Sequence, residues 1–332
     1  MKPGPRNSLT DIEGLTVGHA GDAKIKSGTT VILADKATTG AVHVMGGAPG
    51  TRETDLLAPE QSVGAVDAIV ISGGSVFGLD AASGVTDALA AAGRGFAVGD
   101  ARAPIVSAAV LFDLINGGDK KWGARSPYRD LGTAALKVCA KDFALGSVGA
   151  GTGATTANVK GGLGTASAVL SNGVTVAALA AVNAVGQATI GKTPNFWAAP
   201  FEMGKEYGGL GTIAAPDASA IVTKLGAIER ANTTLAVIAT DAILTRGELK
   251  RIAMVTHDGF AHALWPAHTP MDGDIVFSLS TGQKPLTPVI GLLELCAAAA
   301  ACIARAIARG VYEATPAPGD LLPTWREKFG RK

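Results

Sequence analysis

Runs of apolar and β-branched residues, separated by short polar segments, predict the main elements of the chain. The run from Thr233 to Thr240 holds only threonine and apolar residues, a composition typical of a buried strand. The preceding segment 228–232 is polar and charged. A hydroxyl side chain therefore lies where a core strand begins.

Other apolar runs end at turn residues and predict further strands and helices. Strands or buried extended segments are expected at 29–34 and 41–45 around a turn at 36–40, 67–72, 104–116, 165–170, 174–182 and 275–280. Helices are expected at 80–92, 132–141, 217–225, 246–262 and 291–309. The last is rich in alanine, and because Glu294 and Arg305 interrupt it we expect a buried helix rather than a membrane span.

Composition favours one compact domain of closely packed layers. The 332 residues are 47% hydrophobic, 17% charged and 5% aromatic, and they include 44 glycines. So few charged residues leave a poor monomer surface, which predicts a homo-oligomer, a tetramer or larger. Lys plus Arg number 29 against 28 for Asp plus Glu, so neither nucleic acid nor a membrane is expected as a partner. Three cysteines without CxxC spacing indicate free thiols in the cytoplasm.

Several motifs that would indicate a cofactor or another nucleophile lack a required residue in this sequence. The glycine loop after strand 67–72 has Ser75 where a dinucleotide fingerprint needs glycine, and no Gly-Lys-Ser/Thr follows it. Phe77 stands where a nucleophile elbow around Ser75 needs glycine. The histidines at 257, 262 and 268 lack the spacing of HExxH. We therefore expect no metal and no cofactor.

Thr233 suggests a specific chemistry if the peptide bond before it breaks. A threonine hydroxyl is a poor nucleophile without a base beside it, and the α-amine of an N-terminal threonine is such a base. Its ordinary pKa, about 7.7 to 8.0, suits work near neutral pH. The alternative is structural, since Asn232 and Thr233 also suit a turn that leads into a strand.

Five segments together resemble the L-aminopeptidase/D-esterase (DmpA-type) family, which includes β-peptidyl aminopeptidases and the nylon-oligomer endo-hydrolase. In order along the chain they are GGAPGTRETD (46–55), ISGGSVFGLD (71–80), VGAGTGA (148–154), NTT (232–234) and MDGD (271–274). The resemblance implies an α+β fold, a four-layer αββα sandwich that also resembles ornithine acetyltransferase. It further implies one domain, 1–332, that cleaves itself into 1–232 and 233–332.

The resemblance also assigns site residues. It makes Thr233 the nucleophile, with Asn232–Thr233 as the bond cleaved, and Asn183 the donor to the oxyanion. Lys160, Asp272 and Asp274 are supporting catalytic residues by the same comparison, and Tyr128 binds substrate. Two aspartates at a turn can also be simple turn chemistry. As catalytic groups they would orient the threonine ammonium and hydroxyl.

The expected function is therefore a self-processing N-terminal threonine hydrolase of small peptides, amides, amide oligomers or esters. Two alternatives remain open at the level of the sequence. One is an acyltransferase of the ornithine-acetyltransferase kind, which passes the acyl group to an amine instead of water. The other is an uncleaved binding protein of the same fold.

Overall fold

The computed structural model describes residues 1–219, 221–224 and 232–330. Its strands are β1 Leu15–Asp22, β2 Ser27–Val44, β3 Thr51–Arg52, β4 Ala65–Ser72, β5 Phe96–Val98, β6 Ala101–Ala103, β7 Val106–Val110, β8 Gly162–Val169, β9 Thr175–Asn183, β10 Thr233–Ala242 and β11 Ile275–Lys284. Its α-helices are α1 Asp80–Ala91, α2 Tyr128–Lys137, α3 Arg246–Ala261, α4 Ile290–Tyr312 and α5 Trp325–Phe329.

The large sheet is mixed, and the long strand β2 connects its two parts. Its order is β3-β7-β4-β2-β11-β10-β9-β8, with β1 also pairing with β2, while β5 and β6 form a separate hairpin. The register of β2 against β4 shifts between Leu33 and Thr38. The part of β2 before the shift pairs with β1, and the part after it pairs with β11. This single strand therefore joins two β layers.

Side chains that alternate along the strands divide the interior into three apolar cores. In β10, Leu235 faces a core between the two β layers, whereas Ala236 faces a core that includes α3 and α4. In β4, Ile69 faces the same central core and Ala68 faces a third one shared with α1 and α2. Period-two alternation with both faces buried gives the layer order helix, sheet, sheet, helix. The predicted αββα sandwich is confirmed.

Helix α4 is the core helix that its alanine-rich sequence predicted. Among the described helices it is long and apolar enough to cross a membrane by length and composition, yet 61% of its most apolar window is buried inside the protein. Its charged residue Arg305 is fully buried and forms an ion pair with Glu206, with Nε 2.6 Å from Oε1. Pairing of this kind is what a buried guanidinium requires.

Three predictions of local structure need correction. The segment 29–45 is one strand rather than a hairpin, because the exposed residues 35–37 lie at the register shift and not in a turn. Helix α2 begins at Tyr128, four residues before Gly132, and continues only to Lys137. In the predicted helix 217–225, the described residues 217–219 and 221–224 are not helical, and the rest lies outside the described residues.

Candidate active site

Thr233 is the first residue of β10, and the sheet fixes what surrounds it. β10 runs antiparallel to β9, with Thr233 opposite Asn183, and parallel to β11, with Leu235 beside Ile275. Because Leu235 is level with Ile275, the residues just before β11 lie beside the start of β10, and Asn232 forms a parallel bridge with Asp272. The predicted residues of the two segments are thus brought together at one edge of the β layer.

The carbonyl oxygen of Asn232 accepts two hydrogen bonds at the bond predicted to break. The Thr233 hydroxyl donates to it at 2.6 Å, and the Gly273 backbone N–H donates at 2.7 Å. On its amino side, Asn232 N–H donates to the Met271 carbonyl at 3.1 Å. Both Asn232 and Thr233 are buried. The peptide group is therefore held against the turn 271–273, with its carbonyl polarised by two donors.

Asp274 and Asp272 contact different parts of this region. Asp274 Oδ1 accepts the backbone N–H of Thr234 at 2.8 Å, next to the predicted nucleophile. Asp272 accepts the N–H of Val185 at 3.2 Å and both the N–H and the hydroxyl of Thr269, at 2.9 and 2.8 Å. Burial raises the pKa of Asp272, and the nearby charge of Asp274 raises it further. Asp274 thus reaches β10, whereas Asp272 also shapes its own turn.

Two glycines allow the turn 271–273 to approach Thr233 and the loop after β2 this closely. A Cβ at Gly273 would lie 2.6 Å from the Thr233 hydroxyl oxygen and 2.6 Å from the Ala48 carbonyl oxygen. A Cβ at Gly46 would lie 2.3 Å from the backbone of both Asp272 and Asp274. The glycine-rich loop after β2 therefore lies against the aspartate turn, where Ala48 N–H donates to Asp272 O at 2.8 Å.

Asn183 lies opposite Thr233, but its side chain is engaged elsewhere. Its Nδ2 donates to the Phe112 carbonyl at 2.9 Å. Its Oδ1 accepts from Thr155 N–H at 3.1 Å and from Lys224 Nζ at 3.0 Å. The amide is thus in the wall of the site, oriented toward Phe112.

Lys160 and Tyr128 are held by partners other than Thr233. Lys160 is buried, and its Nζ lies 2.6 Å from Asp320 Oδ2. Tyr128 is also buried, and its hydroxyl donates to Ser27 Oγ at 3.0 Å. Burial, followed by the charge of Asp113, raises the pKa of Tyr128 above its ordinary value. Neither side chain is placed beside the bond between Asn232 and Thr233.

Two cavities meet at this bond. Thr233 lines a cavity of about 230 Å³ together with eight further residues, Ala48, Pro49, Gly50, Ser75, Val76, Leu79, Val110 and Phe112. Asn232 and Asn183 line a second cavity of about 480 Å³, which Phe112 also borders. Groups of three or more His, Cys, Asp or Glu side chains that could hold a metal ion are absent from the described residues.

The sequence reasoning missed Phe112 and the place of Ser75. Phe112 follows β7, and nothing in its residue type indicates that it separates the two cavities. Ser75 lacks the sequence of a nucleophile elbow, yet it borders the Thr233 cavity with a left-handed φ of 52°. A non-glycine residue at positive φ is uncommon and can mark a functional turn, but φ is not readable from the sequence.

Comparisons with known proteins identify a family and several relatives of this chain. The model of peptidase family S58 matches residues 7–321. A protein named an uncharacterized aminopeptidase in Mycobacterium tuberculosis is 43% identical, over 97% of this chain and 98% of the relative. The 6-aminohexanoate-oligomer endohydrolase of a Kocuria species is 30% identical, over 84% of this chain and 76% of the relative.

A solved structure has the same fold. The L-aminopeptidase D-Ala-esterase/amidase of Ochrobactrum anthropi, described as a variant of the Ntn hydrolase fold, superposes with a TM-score of 0.70 and 22% identity over 98% of this chain and 93% of that one. Neither the acyltransferase nor the binding-protein alternative finds support among these relatives. Because the family model spans nearly the whole chain and the relatives are named for hydrolysis, the chain belongs to peptidase family S58 and is a hydrolase that acts on peptide or amide bonds.

Proposed function

We propose that the chain cleaves itself between Asn232 and Thr233 and then hydrolyses small amide substrates with the threonine it has freed. The observation that carries this proposal is the pair of donors on the Asn232 carbonyl oxygen, the Thr233 hydroxyl at 2.6 Å and Gly273 N–H at 2.7 Å. One donor is the nucleophile itself. The other is a backbone dipole fixed where negative charge would develop.

Self-cleavage consumes one water molecule. The Thr233 oxygen attacks the Asn232 carbonyl carbon, and the oxyanion that forms is held by Gly273 N–H. The carbon–nitrogen bond then breaks, the threonine nitrogen takes the proton that the hydroxyl has given up, and an ester joins Asn232 to the threonine oxygen. Water hydrolyses the ester, which leaves a carboxylate on Asn232 and a free amine on Thr233. The mature protein is then residues 1–232 and 233–332, held together without a disulfide.

In the mature enzyme the threonine amine acts as the base for its own hydroxyl, and an acyl-enzyme forms and is hydrolysed. Asp274 holds the ammonium form and the start of β10 in place, and Asp272 fixes the turn that carries Gly273. We assign to Asn183 the donor to the substrate's carbonyl oxygen, because it stands opposite Thr233 in the sheet. A positioned amide of this kind contributes roughly 2.7 to 4 kcal/mol in comparable sites.

In this scheme Lys160 and Tyr128 act indirectly, through other residues. Lys160 pairs with Asp320, the residue before Leu321, which lines the larger cavity. Tyr128 lies against Gly74, where a Cβ would be 2.1 Å from its ring, and Gly74 precedes Ser75 in the wall of the smaller cavity. Both side chains therefore support cavity walls.

The substrate class follows from the size of the site and from the relatives. The smaller cavity, about 230 Å³, accommodates a small acyl group beside Thr233. The names of the relatives include an aminopeptidase and an endohydrolase of 6-aminohexanoate oligomers. We therefore propose small peptides, amides or amide oligomers as substrates, to be tested with a panel of aminoacyl amides, β-peptides and amide oligomers.

Intact-mass measurement and N-terminal sequencing test the cleavage. We expect two fragments, the smaller one beginning at Thr233, and a fragment that begins elsewhere contradicts the proposal. Thr233→Ala should stay one chain because it lacks the attacking oxygen, whereas Thr233→Ser should still cleave. Thr234→Ala is the matched control, because the Thr234 hydroxyl is buried without a hydrogen-bond partner in the described part of the chain. This variant should cleave as the wild type does.

We also propose that the enzyme is cytoplasmic and assembles as a homo-oligomer. The cysteines at 139, 296 and 302 are free thiols, and burial raises the pKa of Cys139 and of Cys302 to about 12. Unreactive thiols suit a reducing compartment.

Light scattering tests the homo-oligomer, and a monomer at micromolar concentration would contradict it.

A further inference from the structure

Three imidazole rings stand in a row behind Asp274, on the side away from β10. His43 comes from β2, His257 from α3, and His268 from the segment before the aspartate turn. The ring centroids of His43 and His257 are 5.1 Å apart, and those of His257 and His268 are 4.8 Å apart. The mechanism described above uses none of these rings.

Asp274 joins His268 to the start of β10. Its Oδ2 lies 2.9 Å from His268 Nδ1 and accepts the backbone N–H of His268 at 3.1 Å. The ring contact is an ion-pair distance rather than an aligned hydrogen bond, so its attraction is chiefly electrostatic. The other carboxylate oxygen takes the N–H of Thr234. Asp274 is 2% exposed and His268 16% exposed at their side chains, so water screens this contact weakly.

The row of rings favours one proton, on His268. Burial, together with the neighbouring charge of His268, lowers the pKa of His257 to about 3. Burial also lowers the pKa of His43, which faces Lys250 and His268. Burial alone would lower the pKa of His268 too, but Asp274, and more weakly Asp272, raise it above the ordinary value. The neighbours of His268 are therefore the carboxyl groups of Asp274 and Asp272 and the neutral imidazoles of His257 and His43, with the charge of Lys250 next to His43.

We propose that His268, as an imidazolium, is a positioning residue that offsets the buried charge of Asp274 and so sets how strongly Asp274 holds the Thr233 amine. This inference rests on the proposed function, because the amine exists only after cleavage. Without the imidazolium, the carboxylate attracts the threonine ammonium unopposed. The amine then keeps its proton to higher pH, and less of it is free to act as base at a given pH.

His268→Asn is the informative variant. His268 has a left-handed φ of 56°, and asparagine tolerates this region better than most residues do. The variant removes the charge and retains a polar side chain. We expect the acid-side limb of the pH–activity profile to move to higher pH by about half to one unit, the size of one partly screened charge several ångströms away. His262→Asn, at the exposed end of α3, is the control and should leave the limb in place.

A second measurement reports the pair without any catalysis. In Thr233→Ala, which should remain uncleaved, NMR titration should place the pKa of His268 above 6.5. Adding Asp274→Asn should lower it, because burial is then opposed only by the weaker effects of the His257 carbonyl and Asp272. A His268 that titrates at or below 6.5, or that ignores Asp274→Asn, overturns the proposal.

The outcomes separate this inference from the proposed function. A wild-type chain that never cleaves overturns both. Suppose that the wild-type chain cleaves before Thr233, and that His268→Asn lowers the melting temperature or turnover but leaves the acid-side limb of the pH–activity profile in place. This outcome overturns only the role of His268. A limb that moves to higher pH in His268→Asn and stays in place in His262→Asn supports it.

Discussion

Replacing Gly273 by alanine should block self-cleavage while the chain still folds. The added Cβ would lie 2.6 Å from the Thr233 hydroxyl oxygen and 2.6 Å from the Ala48 carbonyl oxygen, closer than the 3.0 Å that Cβ atoms in proteins normally keep. One or more of these groups must therefore move by about half an ångström, since close-packed interiors absorb strain poorly. Overpacking of this kind costs about 1–3 kcal/mol, which a domain of this size tolerates.

The effect on the reaction should be larger than the effect on folding. Thr233 Oγ and Gly273 N–H both depend on this spacing, and a misplacement of about 1 Å can slow a reaction about 10²-fold. Precursor and fragments would be followed over time on a denaturing gel, with melting temperature measured in parallel. Gly247→Ala is the control, because Gly247 lies in α3 with nothing near its added methyl group. A Gly273→Ala chain that cleaves at the wild-type rate would refute the argument.

Two further predictions follow from buried charges. Asp274→Asn should lose most hydrolysis or self-cleavage. In any residual activity, the acid-side limb of the pH–activity profile should move to lower pH, because removing a negative charge lowers the pKa of the Thr233 amine. A variant with full turnover and an unshifted limb would show that Asp274 only shapes the turn. Arg305→Leu should lower the free energy of unfolding by about 3–5 kcal/mol, because it leaves Glu206 buried without its main partner. Urea unfolding checks it against Arg129→Leu, an exposed ion pair whose loss should matter far less.

The fold was predictable where local sequence pattern and long-range pairing agree. The apolar runs at 165–170, 174–182 and 233–240 became β8, β9 and β10 because strands buried on both faces need no alternation. The strand β2 was misread because the polar residues at 35–37 look like a turn. Their identity as a register shift depends on β4, whose pairing the local sequence does not reveal.

The same condition decides which residues of the site could be predicted from the sequence. The segments 232–234 and 271–274 are each compact, so the resemblance could assign their residues to one site, and the structure brings them together. Lys160 and Tyr128 lie in segments whose partners are remote in sequence, Asp320 and Ser27. The role of Phe112 depends on which side of β7 faces Thr233. The sheet decides this orientation, and the residue type does not reveal it.

The parallel pairing of β10 and β11 explains why these aspartates suit Thr233. Since Leu235 is level with Ile275, the residues two positions before each strand partner are also level, which puts Thr233 beside Gly273. Asp272 and Asp274 flank that glycine, and alternation along an extended segment directs neighbouring side chains to opposite faces. A glycine level with Thr233 leaves room for the threonine hydroxyl, and the carboxylate one residue further reaches the N–H of Thr234. Shifting the register by one residue would replace this glycine with an aspartate side chain, so the geometry of the site depends on the register of two parallel strands.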